Sequence, residues 1–170
     1  MADQHRPFRA SYLISGVDPE TIFAELLRLD RFPEWAVGLS QARTLDAPGT
    51  TGNGAPPEIR PGTNLEFTLS AAGFTHRVVS AVTAVEPPRR LEWRYEKGAV
   101  GAGGWLVEEE GTQTVRMTLS TDYRVRPAWL DRIAHRPFFR GLTENLLGHS
   151  IRRLEEHLKN PRESRPTEEV

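Results

Sequence analysis

Four side chains in the 170-residue sequence combine a reactive group with a place that could bring it to a small molecule: His76, Arg77, Tyr95 and His149. An imidazole exchanges a proton near neutral pH. A guanidinium offers fixed charge to an oxyanion or carboxylate. A phenol polarises a carbonyl or moves a proton. His76 lies in the run Phe74 to Val85, on the side of Val78 and Val82. Both faces of that run mix polar and apolar residues. If the Val78 side faces inward, His76 lines the interior; if it faces outward, Arg77 is the inward group. Asn145 and His149 stand four apart, which on a helix places them together flanking an apolar stripe. There they either project polar groups inward or touch solvent.

The aromatic residues carry more information. Phe67, Trp93, Tyr95, Trp105 and Tyr123 fall at strand positions that point to one side. Any one of these rings alone reads as core packing. As a set, some are expected to line a cavity, because small-molecule pockets are apolar with a few placed polar groups. Trp and Tyr also carry a polar handle that needs a partner when buried, so such a wall suits a flat, oxygenated ligand. The expected lining adds Leu69, Met117 and Leu142 from the same strand faces and helix stripe. Trp35, at the end of two short helices, reads either as a gate at the mouth or as a hydrophobic plug.

These side chains need elements to hold them. Phe8, Ala10, Tyr12 and Ile14 alternate with polar residues, one lapse being Leu13, and give a half-buried strand. Asp18-Pro19-Glu20 supplies an N-cap, a first-turn proline and an acid, so a helix follows through Ile22, Phe23, Leu26 and Leu27. Pro33 to Ala36 adds a short helical turn, and Ser40 to Asp46 a strand. Ala47 to Gly62 is loop on composition, with four glycines and four prolines. Further strands run Thr63 to Ser70, Phe74 to Val85, around Leu91 to Tyr95, Trp105 to Glu109 and Val115 to Tyr123, with Gly98 to Gly104 expected to turn the chain. Pro127 to Ala134 allows one or two helical turns. From Pro137 the period changes: Phe138, Leu142, Leu146, Leu147, Ile151, Leu154 and Leu158 make one apolar stripe. About 22 residues rising 1.5 Å each span about 33 Å, enough to cross a sheet. The expected architecture is an α+β antiparallel meander of about seven strands, β-α-α-β6-α, curved around a C-terminal helix over 8–159, with a flexible tail over 160–170. A sheet curled around a helix leaves a gap where its curvature exceeds the helix radius.

Composition removes several functions. With no cysteine, disulfide frameworks, thiolate metal sites and cysteine nucleophiles are out. The five histidines form no His-Glu-x-x-His pair, so neither a metal nor another cofactor is expected. A net charge of −1 argues against a nucleic-acid surface. There is no Gly-x-Ser-x-Gly elbow, and Gly98 to Gly104 precedes no helix, so it is neither a phosphate loop nor a dinucleotide fingerprint. No signal peptide or membrane-spanning run is visible, which points to a cytoplasmic protein, monomeric or homodimeric.

The order of elements, together with Asp18-Pro19-Glu20-Thr21-Ile22-Phe23, Arg31-Phe32-Pro33-Glu34-Trp35, Val85-Glu86-Pro87-Pro88-Arg89-Arg90-Leu91-Glu92-Trp93, Glu110-Gly111-Thr112-Gln113-Thr114-Val115 and Ser150-Ile151-Arg152-Arg153-Leu154, resembles the START-like (Bet v 1-like, SRPBCC) superfamily and its bacterial polyketide cyclase/dehydrase group. The resemblance runs from about Phe8 to Leu158. It implies a helix-grip fold with an internal cavity for a hydrophobic ligand, in a superfamily of aromatase/cyclases, lipid and isoprenoid carriers and stress proteins.

Three functions follow as expectations. The first is binding of a hydrophobic, aromatic, polyketide or lipid-like molecule for carriage, sequestration or sensing. The second is cofactor-independent ring closure or dehydration of a poly-β-ketone, with His76 or Arg77, Tyr95 and His149 polarising the carbonyl or moving the proton. The third is a partner-binding surface, whose mark would be a large exposed apolar patch.

Overall fold

The computed structural model describes residues 8–45, 58–71, 73–126 and 137–160. Seven strands, β1 (Phe8–Ser15), β2 (Leu39–Thr44), β3 (Asn64–Ala71), β4 (Phe74–Glu86), β5 (Arg90–Lys97), β6 (Ala99–Glu109) and β7 (Thr114–Val125), form one antiparallel sheet in the order β1-β7-β6-β5-β4-β3-β2. Between β1 and β2 lie α1 (Pro19–Leu26), a 3₁₀ turn (Leu29–Arg31) and α2 (Phe32–Trp35); α3 (Pro137–Lys159) closes the described chain. The sheet curls into a half-barrel with the helix, a helix-grip-like α+β fold. The Pro127–Ala134 turns, the tail beyond residue 160 and most of the Ala47–Gly62 loop fall outside the described residues. The end of that loop is anchored, for Ile59 is buried and the Gly62 N–H donates to the Val82 carbonyl.

Local chemistry accounts for the elements. Asp18 caps α1 by accepting the Thr21 N–H at 2.7 Å, with Pro19 in the first turn. On β1 the alternation buries Ile14 completely and leaves Leu13, the lapse in the pattern, 53% exposed on the other face. The core gathers at one end of the half-barrel. Ile14, Ile22, Leu26, Met117 and Leu154 are fully buried there, with Phe23 and Trp35 beside them.

Two polar devices fix α3 to the helices that follow β1. The Ser150 hydroxyl accepts the Val37 N–H at 2.8 Å and donates to the Leu146 carbonyl at 2.7 Å. Glu25, buried on α1, faces Arg31 Nε at 3.4 Å and His157 Nε2 at 3.2 Å, with Glu34 on the outer side of the same pair.

The glycine run departs from expectation. Gly98 to Gly104 is not a turn: only Gly98 lies between strands, and β6 begins at Ala99. Glycine serves there as absent bulk. A Cβ at Gly103 would fall 2.7 Å from the Trp93 ring, and one at Gly101 1.9 Å from the Asp122 carbonyl oxygen.

Candidate functional site

Register decides which side chains share the concave face. β3 and β4 pair Phe67 with Val78 and Leu69 with His76; β4 and β5 pair Ser80 with Tyr95 and Val82 with Trp93. Residues paired directly across an antiparallel sheet point to the same side. Leu65 and Val82 belong to the buried core, so His76 faces inward with them. Arg77 then points outward, where it lies 3.7 Å from Glu66, itself held by Arg43 at 2.6 Å. Of the two candidates on β4, the imidazole is the inward group.

The aromatic rings follow the same register. Trp93 pairs with Gly103, and Tyr95 with Gly101, which on its other side pairs with Tyr123. Without a Cβ at 103 the Trp93 ring can lie down on the sheet. Trp93 and Tyr95 meet edge-on at 6.5 Å, and Tyr95 and Tyr123 at 6.4 Å. All three remain half-buried, whereas Trp105 and Met117, further along the same faces, are in the packed core. Leu69 is 42% exposed although its strand neighbours Leu65 and Phe67 join the core or pack on it. Packing is therefore complete at the Ile14–Leu154 end and incomplete toward Tyr95, His76 and Leu69.

Polar groups are sparse on this face. His76 Nε2 lies 2.8 Å from the Gly98 carbonyl, which also accepts the Arg126 N–H. The Tyr95 hydroxyl is 2.8 Å from Thr121 Oγ1, which donates to the Ala102 carbonyl at 3.3 Å. Ser80 Oγ and Trp35 Nε1 are buried with no hydrogen-bond partner among the described residues. Leaving such a group unmade costs about 1–3 kcal/mol. Tyr12 lies on the same face of β1 beneath Gly148 of α3; burial, and secondarily the Glu144 carboxylate, raise its pKa above the ordinary tyrosine value.

Other expected site residues are placed differently. Trp35 sits inside rather than at a rim, 2% exposed and 4.8 Å from Phe32, whose ring is 6.0 Å from Phe67. Asn145 and His149 are exposed on α3. The Leu142 side chain lies outside the described residues. Residue type alone does not single out Thr121, Ser80 and Tyr12; strand parity with Tyr123, Val82 and Ile14 is the signal that could have found them. A separate surface groove of about 380 Å³ lies between Gly16–Pro19 and the β6–β7 turn, and none of the expected residues lines it. Among the described residues no cluster of His, Asp and Glu could hold a metal, and no helix is long and apolar enough to cross a membrane.

Comparison with known proteins gives one family and many shared folds. Residues 7–160 match the model of the family described as polyketide cyclase/dehydrase and lipid transport. Among solved structures, the Zhui aromatase/cyclase from Streptomyces sp. R1128 superposes with a TM-score of 0.68 at 11% identity, covering 97% of this chain and 99% of that one. A protein of Thermus thermophilus gives 0.69 at 16% identity over 92% and 99%. A START superfamily protein from Mycobacterium smegmatis gives 0.65 at 14% identity over 91% and 98%. At these identities the likeness is one of fold. No curated protein matches the sequence.

Proposed function

The chain belongs to the polyketide cyclase/dehydrase and lipid transport family, and from that premise we propose that it binds a flat, hydrophobic, oxygenated small molecule, polyketide or lipid-like, against the concave aromatic face. The role is carriage, sequestration or sensing. One observation carries the reading: Trp93, Tyr95 and Tyr123 stay half-buried on the inner face of the sheet while Ile14, Met117 and Leu154 a few positions away are fully buried. Large aromatic rings facing inward and only partly covered are what a ligand seat needs. The surface-partner alternative finds less support: of the large apolar residues exposed among the described residues, Leu13, Leu45, Leu69 and Val100, the two most exposed, Leu13 and Val100, lie at opposite ends of the sheet.

Native mass spectrometry of protein purified from its own host tests the proposal. A bound small molecule is expected, lost or strongly depleted in W93A. A wild-type protein that carries nothing, and whose indole emission no polycyclic aromatic changes, would overturn it.

One observation favours chemistry as a second reading. His76 faces inward with one ring nitrogen held by Gly98, which leaves the other available as a base toward an acidic methylene of a poly-β-ketone. Ring closure would then rest on holding the chain folded, with His76 moving the proton. Conversion of a synthetic poly-β-ketone by the wild type, lost in H76A, would support it; equal conversion by H76A would end it.

A further inference from the structure

Taking the concave face as the ligand seat, we infer that it recognises hydroxyl groups of the ligand rather than carbonyls, because Tyr95 and His76 offer lone pairs there and not protons. The inference rests on the proposed function and follows from counting hydrogens.

A backbone carbonyl can only accept. The contact from Thr121 Oγ1 to the Ala102 carbonyl therefore uses the single hydroxyl hydrogen of Thr121. Both contacts are made at once only when Tyr95 donates the 2.8 Å one to Thr121. The phenol hydrogen is committed to the sheet, and the Tyr95 oxygen keeps only acceptor capacity. The same logic holds for His76. The Gly98 carbonyl accepts, so Nε2 carries the hydrogen, and in the neutral ring Nδ1 holds a lone pair with no partner among the described residues.

Three donors nearby are drawn onto the sheet or covered. The Nε1 edge of Trp93 lies over Gly103, 2.9 Å from where a Cβ would sit. Ser80, paired with Tyr95, and Trp35, in the core, are 1% and 2% exposed. A ligand carbonyl at Tyr95 or His76 meets lone pairs, while a hydroxyl meets acceptors. The favoured chemical class is a phenol or enol on a flat ring system, which is the form a poly-ketone takes once it has closed and enolised.

Three probes of one ring size separate the cases: naphthol, its methyl ether methoxynaphthalene, and naphthoquinone, which finds no cysteine in this protein to react with. Affinities are read by quenching of indole fluorescence. Naphthol is expected to bind about fivefold more tightly than the ether, the worth of one net hydrogen bond. Y95F should abolish or halve that preference. T121V, close to isosteric, releases the Tyr95 hydrogen and should strengthen naphthoquinone binding by about fivefold with little change for naphthol. Equal binding of naphthol and ether, or no gain for the quinone in a folded T121V, overturns the inference while the binding site stands. If T121V does not fold, an undiminished preference in Y95F overturns it instead. Failure of all three probes to bind the wild type overturns the site and the inference together.

Discussion

One methyl group added at Gly103 tests whether Trp93 is a wall that only the missing side chain opposite allows. The alanine Cβ would lie 2.7, 2.8 and 2.9 Å from Cζ2, Cε2 and Nε1 of the indole. Carbon atoms rest at about 3.5–4.0 Å, so the ring must retreat by about 0.8 Å. It has room to do so, being only half-buried. Overpacking costs about 1–3 kcal/mol, and alanine recovers about 0.5–1 kcal/mol over glycine within a strand, for a net loss of about 0–2.5 kcal/mol. The displaced indole enters the space proposed for the ligand. Loss of one aromatic contact should weaken naphthol binding about threefold to tenfold. Gly101, two residues earlier, supplies the contrast. Its Cβ would meet the Asp122 carbonyl oxygen at 1.9 Å, at a φ of +126°, in backbone held by the β6–β7 register. Nothing there can give way cheaply, and G101A should lose more than about 4 kcal/mol. Urea denaturation measures both stabilities. Because the chain has four tryptophans, emission is compared with W93F to isolate the Trp93 signal. The reasoning is refuted if G103A leaves indole emission and naphthol affinity unchanged, or if G101A is as mild as G103A.

Three further outcomes follow from the polar groups. E25A removes a buried carboxylate from beside Arg31 and His157; it should cost about 3 kcal/mol, the low end for breaking a buried pair, because Glu34 remains, and a urea midpoint close to wild type would show the cluster to be idle. Tyr12 is held neutral in the folded protein above the ordinary value of 10.0, first by burial and then by Glu144; its stabilising contribution is full below that value and is lost as pH rises toward the folded pKa, and the tyrosinate absorbance of E144Q should shift only part of the way back. Asp18 is held below 3.8, chiefly by the Thr21 N–H; its contribution is present above that value and disappears as pH falls through the lower folded pKa, so D18A should be less sensitive than wild type on the acid limb of a stability profile.

Much of the fold was legible because its signals are local. The Asp18-Pro19-Glu20 start of α1, the alternation through Ile14 and Tyr12, and the apolar stripe that buries Ile151 and Leu154 each depend on neighbours within a few residues. What stayed hidden depends on pairing across the sheet. The glycines of β6 look like turn residues until Trp93 and Asp122 lie beside them. The choice between His76 and Arg77 needed the Leu69 and Phe67 register, since β4 itself has no clean apolar face. The Glu25–His157 contact joins residues 132 positions apart in sequence, with no local trace. For the candidate site, residue type identified the aromatic rings, but Trp35 carries the same signal whether it guards an opening or fills a core. Only packing against Phe32 puts it inside.

Backbone amide NMR spectra recorded during titration with naphthol locate a ligand seat most directly. Shifts should centre on Trp93, Tyr95, Gly101, Gly103 and His76, the uncovered part of the concave face. Shifts confined to the groove of Gly16, Val17, Gln113 and Val115, or none at saturating naphthol, would contradict a seat on that face.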